Sequence, residues 1–122
     1  MSVSYFVRYD IELAEREAFV AHYRQHHVPI LARWPGMKRV MLHTPLDWHD
    51  PFPVNRGRAV LLAQLEFDSL AAMEAAFRSP GRSEAREDFK RFPPFEGTVT
   101  HQAMAQEEAF RAPWLDGTEE GA

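Results

Sequence analysis

The chain has 122 residues, 45% of them hydrophobic, which is enough for one compact domain with its own core. A net charge of −4 offers no basic surface for phosphates and argues against nucleic acid or an anionic membrane as partner. The absence of cysteine excludes a disulfide scaffold, a thiolate-held iron–sulfur cluster and a cysteine nucleophile.

The first ten residues, MSVSYFVRYD, show no basic region followed by an apolar run, and no stretch is long enough to span a bilayer. A soluble cytoplasmic protein is the expectation. Val3 to Tyr9 alternates, with Val3, Tyr5, Val7 and Tyr9 on one face, and predicts a strand. Asp10 is the best cap for the helix that follows, and Glu12, Glu15 and Glu17 suit its positive end.

Phe19 to Gly36 is the organising segment. Val20, Tyr23, His27, Ile30 or Leu31, and Trp34 recur at steps of three and four, so they share one helical face. Pro29 interrupts the run. Its missing N–H leaves the Gln25 carbonyl without a partner, which predicts a kink or a break into two short helices. Pro35-Gly36 ends the segment. His27 falls on the buried stripe and has two readings: a core histidine with one satisfied nitrogen, or a pocket acid or base. His22 and His26 form an i, i+4 pair with no third ligand at helical spacing, so they are placed on a solvated face and no metal site is expected.

Met37 to Thr44 predicts the second strand, with His43 near its end. Pro45 to Gly57 is long and proline-rich, and it carries Trp48, Phe52 and Val54; it is read as an ordered flap over a pocket or subunit interface. Arg58 to Phe67 is the strongest strand, apolar enough to be central. Asp68-Ser69 caps a helix to about Arg78 with Leu70, Met73 and Phe77 as its stripe, and a shorter helical turn spans Ser83 to Arg91. Thr98 to Ala105 predicts the fourth strand and puts His101 on its apolar side or in a shared interior. The tail, 106–122, holds Phe110, Pro113, Trp114 and Leu115, which should pack on their own domain or embrace a partner, with Asp116 to Ala122 loose.

The order strand, helix, strand, strand, helix, strand is the split β-α-β pattern: an α+β, ferredoxin-like βαββαβ fold over residues 1–105, with an inserted loop at 45–57. Its four-stranded antiparallel sheet takes both helices on one face. The other face is too apolar for water, so pairing as a homodimer is expected.

Phe19, Tyr23, His27-Val28-Pro29-Ile30 and then Pro35-Gly36-Met37 resemble the F-x3-Y-x3-H-x-P-[LI] and P-G-[LM] motif of EthD-type proteins in the dimeric α+β barrel superfamily. That resemblance implies a homodimer whose two sheets close a dimeric α/β barrel, and a link to bacterial catabolic pathways. The leading expectation is a small enzyme of isomerase, cyclase or lyase type, without metal or organic cofactor, acting on a cyclic or acyl carbonyl metabolite. His27 would be general acid or base and Tyr23 its partner; Tyr5, Trp34, His43, His101 and Trp48 are candidates for the ligand pocket. The alternatives are a non-catalytic binding or accessory protein for a hydrophobic or aromatic metabolite, and a heme-linked barrel protein.

Overall fold

A computed structural model describes residues 1–12 and 16–116. The predicted cap region at Glu15 and the predicted loose end, 117–122, lie outside the described residues. The strands are β1 (Val3–Glu12), β2 (Arg39–His43), β3 (Leu61–Phe67) and β4 (Glu96–Ala105); the helices are α1 (Arg16–His22), α2 (Val28–Ala32), α3 (Leu70–Phe77) and α4 (Pro80–Phe89). The sheet order is β2-β3-β1-β4 with every neighbouring pair antiparallel, the ferredoxin-like arrangement expected.

Period-two alternation sorts the sheet into two faces. Val3, Tyr5, Val7, Tyr9 and Ile11 of β1 and Leu61, Ala63, Leu65 and Phe67 of β3 are buried, as are Phe19, Tyr23, Leu31, Trp34, Met73, Ala76 and Ala85 from the helical segments. The helices therefore cover one face, and the core is the layer between. Phe19 rather than Val20 takes the innermost place at the start of the stripe.

Several local expectations are corrected. Asp10 and Glu12 do not open the helix: both lie in β1, opposite Thr98 and Glu96. Asp10 accepts from Arg8 Nε at 3.0 Å. Leu70 is 53% exposed, because Met73 and the small Ala76 take the contact on α3. The α4 helix starts at Pro80 rather than Ser83, since the fixed φ and missing N–H of proline suit a first helical turn. Ser69 caps α3 as expected, accepting from Ala72 N at 3.1 Å.

Pro29 neither breaks the helix nor ends it. Tyr23–His27 forms one widened π turn between α1 and α2, in which the Val28 N–H reaches back five residues to the Tyr23 carbonyl. The missing N–H and the bulk of the proline ring are met by slackening the preceding turn. Gly36 follows at φ 75°, a conformation that lets the chain leave the helix for β2. Gly97 sits at φ 134° where a Cβ would strike the Asp10 carbonyl and Ile11 Cα, so the close β1–β4 approach at that end requires glycine.

On the outer face Ser4 is buried in a polar network. It donates to Gln106 Oε1 at 2.7 Å and accepts from Gln64 Nε2 at 3.2 Å, while Gln106 Nε2 donates to Glu66 Oε2 at 2.9 Å. Arg39 grips Glu66 with two bonds, 2.8 and 3.1 Å, and holds its carboxyl below the usual range. This network buttons the chain after β4 to the sheet. Beyond it the tail leaves the sheet, and Phe110 and Trp114 stay exposed on the single chain.

Candidate functional site

The core opens into a cleft of about 530 Å³ between the helices and the inner face of the sheet. Its walls include Tyr5, Tyr9, Tyr23, His27, Trp34 and His101. Five of the seven residues singled out from the sequence thus come together: Tyr5, Tyr23, His27, Trp34 and His101. The other two, His43 and Trp48, line a separate, open depression of about 870 Å³ on the outer face. There His43 Nε2 lies 3.1 Å from Gln64 Oε1, and the Arg56 guanidinium sits 4.1 Å from the Trp48 ring centre.

The widened turn presents Tyr23 and His27 to this cleft with their rings 4.7 Å apart. Phe92 stands nearly perpendicular to both. Behind His27 lies Asp88, which the sequence reading did not single out. Its Oδ2 is 2.9 Å from His27 Nδ1, and both its oxygens are 3.3 Å from His22 Nε2. Asp88 is 4% exposed and sits in the last turn of α4, where the helix dipole opposes a carboxylate. Burial also works against its charge. Hydrogen bonding and charge from His27 and His22 outweigh this and bring its pKa below the ordinary aspartate value. His22 is therefore not on a solvated face as its spacing suggested; half-buried, it completes a His–Asp–His row. The available signal was Asp88 itself, an acid between Ala85 and Phe92 on an otherwise apolar stripe.

Burial pulls His27 below the usual histidine pKa, against the opposing pull of Asp88. A neutral ring beside an ionised carboxylate places the proton on Nδ1, donating to Asp88, and leaves a lone pair on Nε2. Among the described residues Nε2 has no protein partner. Burial holds the Tyr23 phenol well above its ordinary pKa, so it stays a donor. Toward the other end of the cleft, Tyr5 Oη is 2.6 Å from His101 Nδ1. Burial raises the tyrosine and lowers the histidine, so Tyr5 donates and His101 accepts. Among the described residues no cluster of His, Asp or Glu is arranged to hold a metal ion; His22, Asp88 and His27 are spent on one another.

These shifts have a consequence for stability. His27 and His101 have lowered folded pKa values, so between those values and about 6.5 the unfolded chain binds more protons than the folded one. Their contribution is complete above that pH and is lost as pH falls toward the folded values. Asp88 and Glu66 add a second loss once pH drops below their ordinary carboxylate range. Thermal midpoints should fall steadily from about pH 7.5 to about pH 5, less steeply in His27→Gln. A flat or rising midpoint across that interval contradicts the assignment.

An antiparallel βαββαβ sheet with a cleft between its helices and its inner face defines a ferredoxin-like α+β domain. The EthD domain model matches residues 13–96, most of the chain, and the protein belongs to the EthD family. No curated protein matches by sequence. Among solved structures the fold is similar to an ethyl tert-butyl ether D (EthD) family protein from Bacillus halodurans C-125, with 16% identity, 88% of this chain and 100% of that chain covered, and a TM-score of 0.67. It is also similar to SnoaB, a cofactor-independent oxygenase from Streptomyces nogalater (15% identity, 91% and 98% covered, TM-score 0.63). A third is a dimeric protein of unknown function and ferredoxin-like fold from Bacteroides fragilis NCTC 9343 (11% identity, 84% and 94% covered, TM-score 0.57). At these identities the likeness is one of fold. No helix among the described residues is long and apolar enough to cross a membrane.

Proposed function

We propose that this protein is a small-molecule enzyme that works by proton transfer, without metal or organic cofactor, on a cyclic or acyl carbonyl compound. The observation that carries the reading is the Asp88–His27 pair at 2.9 Å in the wall of an aromatic cleft, with the second imidazole nitrogen unengaged. Asp88 fixes the tautomer, and His27 Nε2 takes a proton from carbon next to the carbonyl or from a ring hydroxyl. Tyr23, beside His27, donates a hydrogen bond to the oxygen on which charge develops. Returning the proton at another atom completes an isomerisation or cyclisation.

The active form is a homodimer. Support comes from the outer sheet face, where Phe6, Leu62 and Met104 line an open depression with Leu46 and Trp48, and from the dimeric protein of the same fold. A bare apolar sheet face is costly in water, and a second copy covers it. The test is incubation of the purified dimer in D2O with a panel of cyclic ketones and phenols, following deuterium incorporation next to the carbonyl or hydroxyl by mass spectrometry. Exchange above the buffer rate that vanishes in His27→Ala is expected. Exchange that survives in His27→Ala, or a panel of bound compounds with none exchanging, turns the protein into a binding module.

A further inference from the structure

The α4 helix places two arginines one turn apart, Arg82 and Arg86, on the wall of the same cleft. Neither has a carboxylate partner among the described residues, whereas Lys90, the next cation along this face, is neutralised by Glu87 at 3.0 Å. The Arg82 guanidinium lies among aromatic rings, 4.3 Å from the Phe77 ring centre and 6.0 Å from those of Tyr5 and Trp34. Aromatic faces hold a guanidinium in place without consuming its hydrogen-bond donors. The field of both arginines also reaches His101, whose Nδ1 is engaged by Tyr5. An acidic chain of net charge −4 thus keeps two cations without a carboxylate partner among the described residues at a cavity wall, one of them positioned by aromatic rings.

We infer that Arg82 and Arg86 form a carboxylate subsite, so that the substrate is a ring-bearing carbonyl compound with a carboxylate at the end remote from His27. This rests on the proton-transfer reading of the cleft. The spacing follows from the fold. Tyr5 marks the Arg82 end and Tyr9, against Tyr23, the His27 end. Four residue steps of strand separate them, about 13 Å at ~3.3 Å per step. Along α4 the interval from Arg82 to Asp88 is about 9 Å at ~1.5 Å per residue. A carboxylate at one end and a reacting centre at the other fit a skeleton of about two fused rings, lying along β1 with its face on the tyrosines. A carboxylate accepts two parallel bonds from a guanidinium, which sets the orientation of such a skeleton as well as its affinity.

The probe pair is 6-hydroxy-2-naphthoate and its methyl ester, titrated into the full chain and followed by ligand fluorescence. The acid should bind at least about tenfold more tightly than the ester. The double variant Arg82→Gln, Arg86→Gln should erase that preference while leaving ester binding within about twofold, and His27→Ala should leave it intact. Equal binding of acid and ester to the wild-type chain, or a preference that survives the double variant, overturns the carboxylate subsite and leaves the proton-transfer reading standing. Failure of both compounds to bind overturns the subsite as placed, while deuterium exchange on neutral ketones still decides the chemistry separately.

Discussion

Replacing Asp88 by asparagine should lower kcat on an identified substrate by about a hundred- to ten-thousand-fold, the usual range for positioned acid–base catalysis, with little change in KM. The amide is close in shape to the carboxylate, so the cleft survives. What goes is the negative charge that commits the His27 proton to Nδ1. An amide can turn its NH2 group to His27, and then Nδ1 becomes the acceptor and Nε2 carries the proton, the wrong tautomer for a base. The pH profile gives a sharper readout. Asp88 raises the His27 pKa against the effect of burial. Removing its charge lowers that pKa further, so the acid limb of kcat/KM should move to lower pH. A limb that stays in place, or a rate within about threefold of wild type, would show that Asp88 is only a structural partner.

Phe19→Ala should be the most damaging single change to the fold, costing about 3–5 kcal/mol against a typical total of ~5–15. Phe19 is completely buried. Its ring meets Tyr9 at 5.4 Å, Phe92 at 5.0 Å and Phe95 at 5.6 Å, all edge to face. One side chain therefore ties β1, the first helix and the segment after α4 together. The cavity left by truncation cannot easily collapse, because each neighbour is held by other rings: Phe92 by Tyr23 and Phe89, Phe95 by Phe89. Urea unfolding checks this through the midpoint. A loss under about 1 kcal/mol would mean that the aromatic cluster repacks and does not lock these elements. The conservative Phe19→Leu keeps most of the volume and should recover much of the loss.

Much of the architecture was legible because the sheet writes itself in alternation. Tyr5, Val7 and Tyr9, and Leu61, Ala63 and Leu65, point the same way for reasons visible two residues at a time, and Ser69 and Gly36 mark a helix start and a helix exit. The motif around Tyr23 and His27 was likewise local, and the cleft does contain both. Asp88 was not legible as a partner, because it lies 61 positions from His27 and is brought to it by the packing of α4 against the widened turn. His43 and Trp48 looked equivalent to His101 in sequence. The pleat decides otherwise: His43 pairs opposite Leu62 on the outer face, while His101 pairs opposite Val7 on the inner one. A single residue of register separates the two outcomes.

The widened turn before Pro29 carries a meaning of its own. Phe19, Tyr23, His27 and Leu31 are spaced by fours throughout and are all buried. On an ideal α-helix a run of fours slips sideways by about 40° per step, since each residue turns the chain by about 100°. The slack turn between Tyr23 and His27 absorbs part of that slip and keeps the four side chains in line. Length and orientation are therefore exchanged at this point of the chain. Dropping one residue there scarcely shortens the helix, but it swings everything beyond the turn by about a quarter revolution and takes His27 out of the cleft. A one-residue gain or loss at that turn is thus a rotary adjustment of the cleft wall, one that re-aims His27 without altering the sheet beneath.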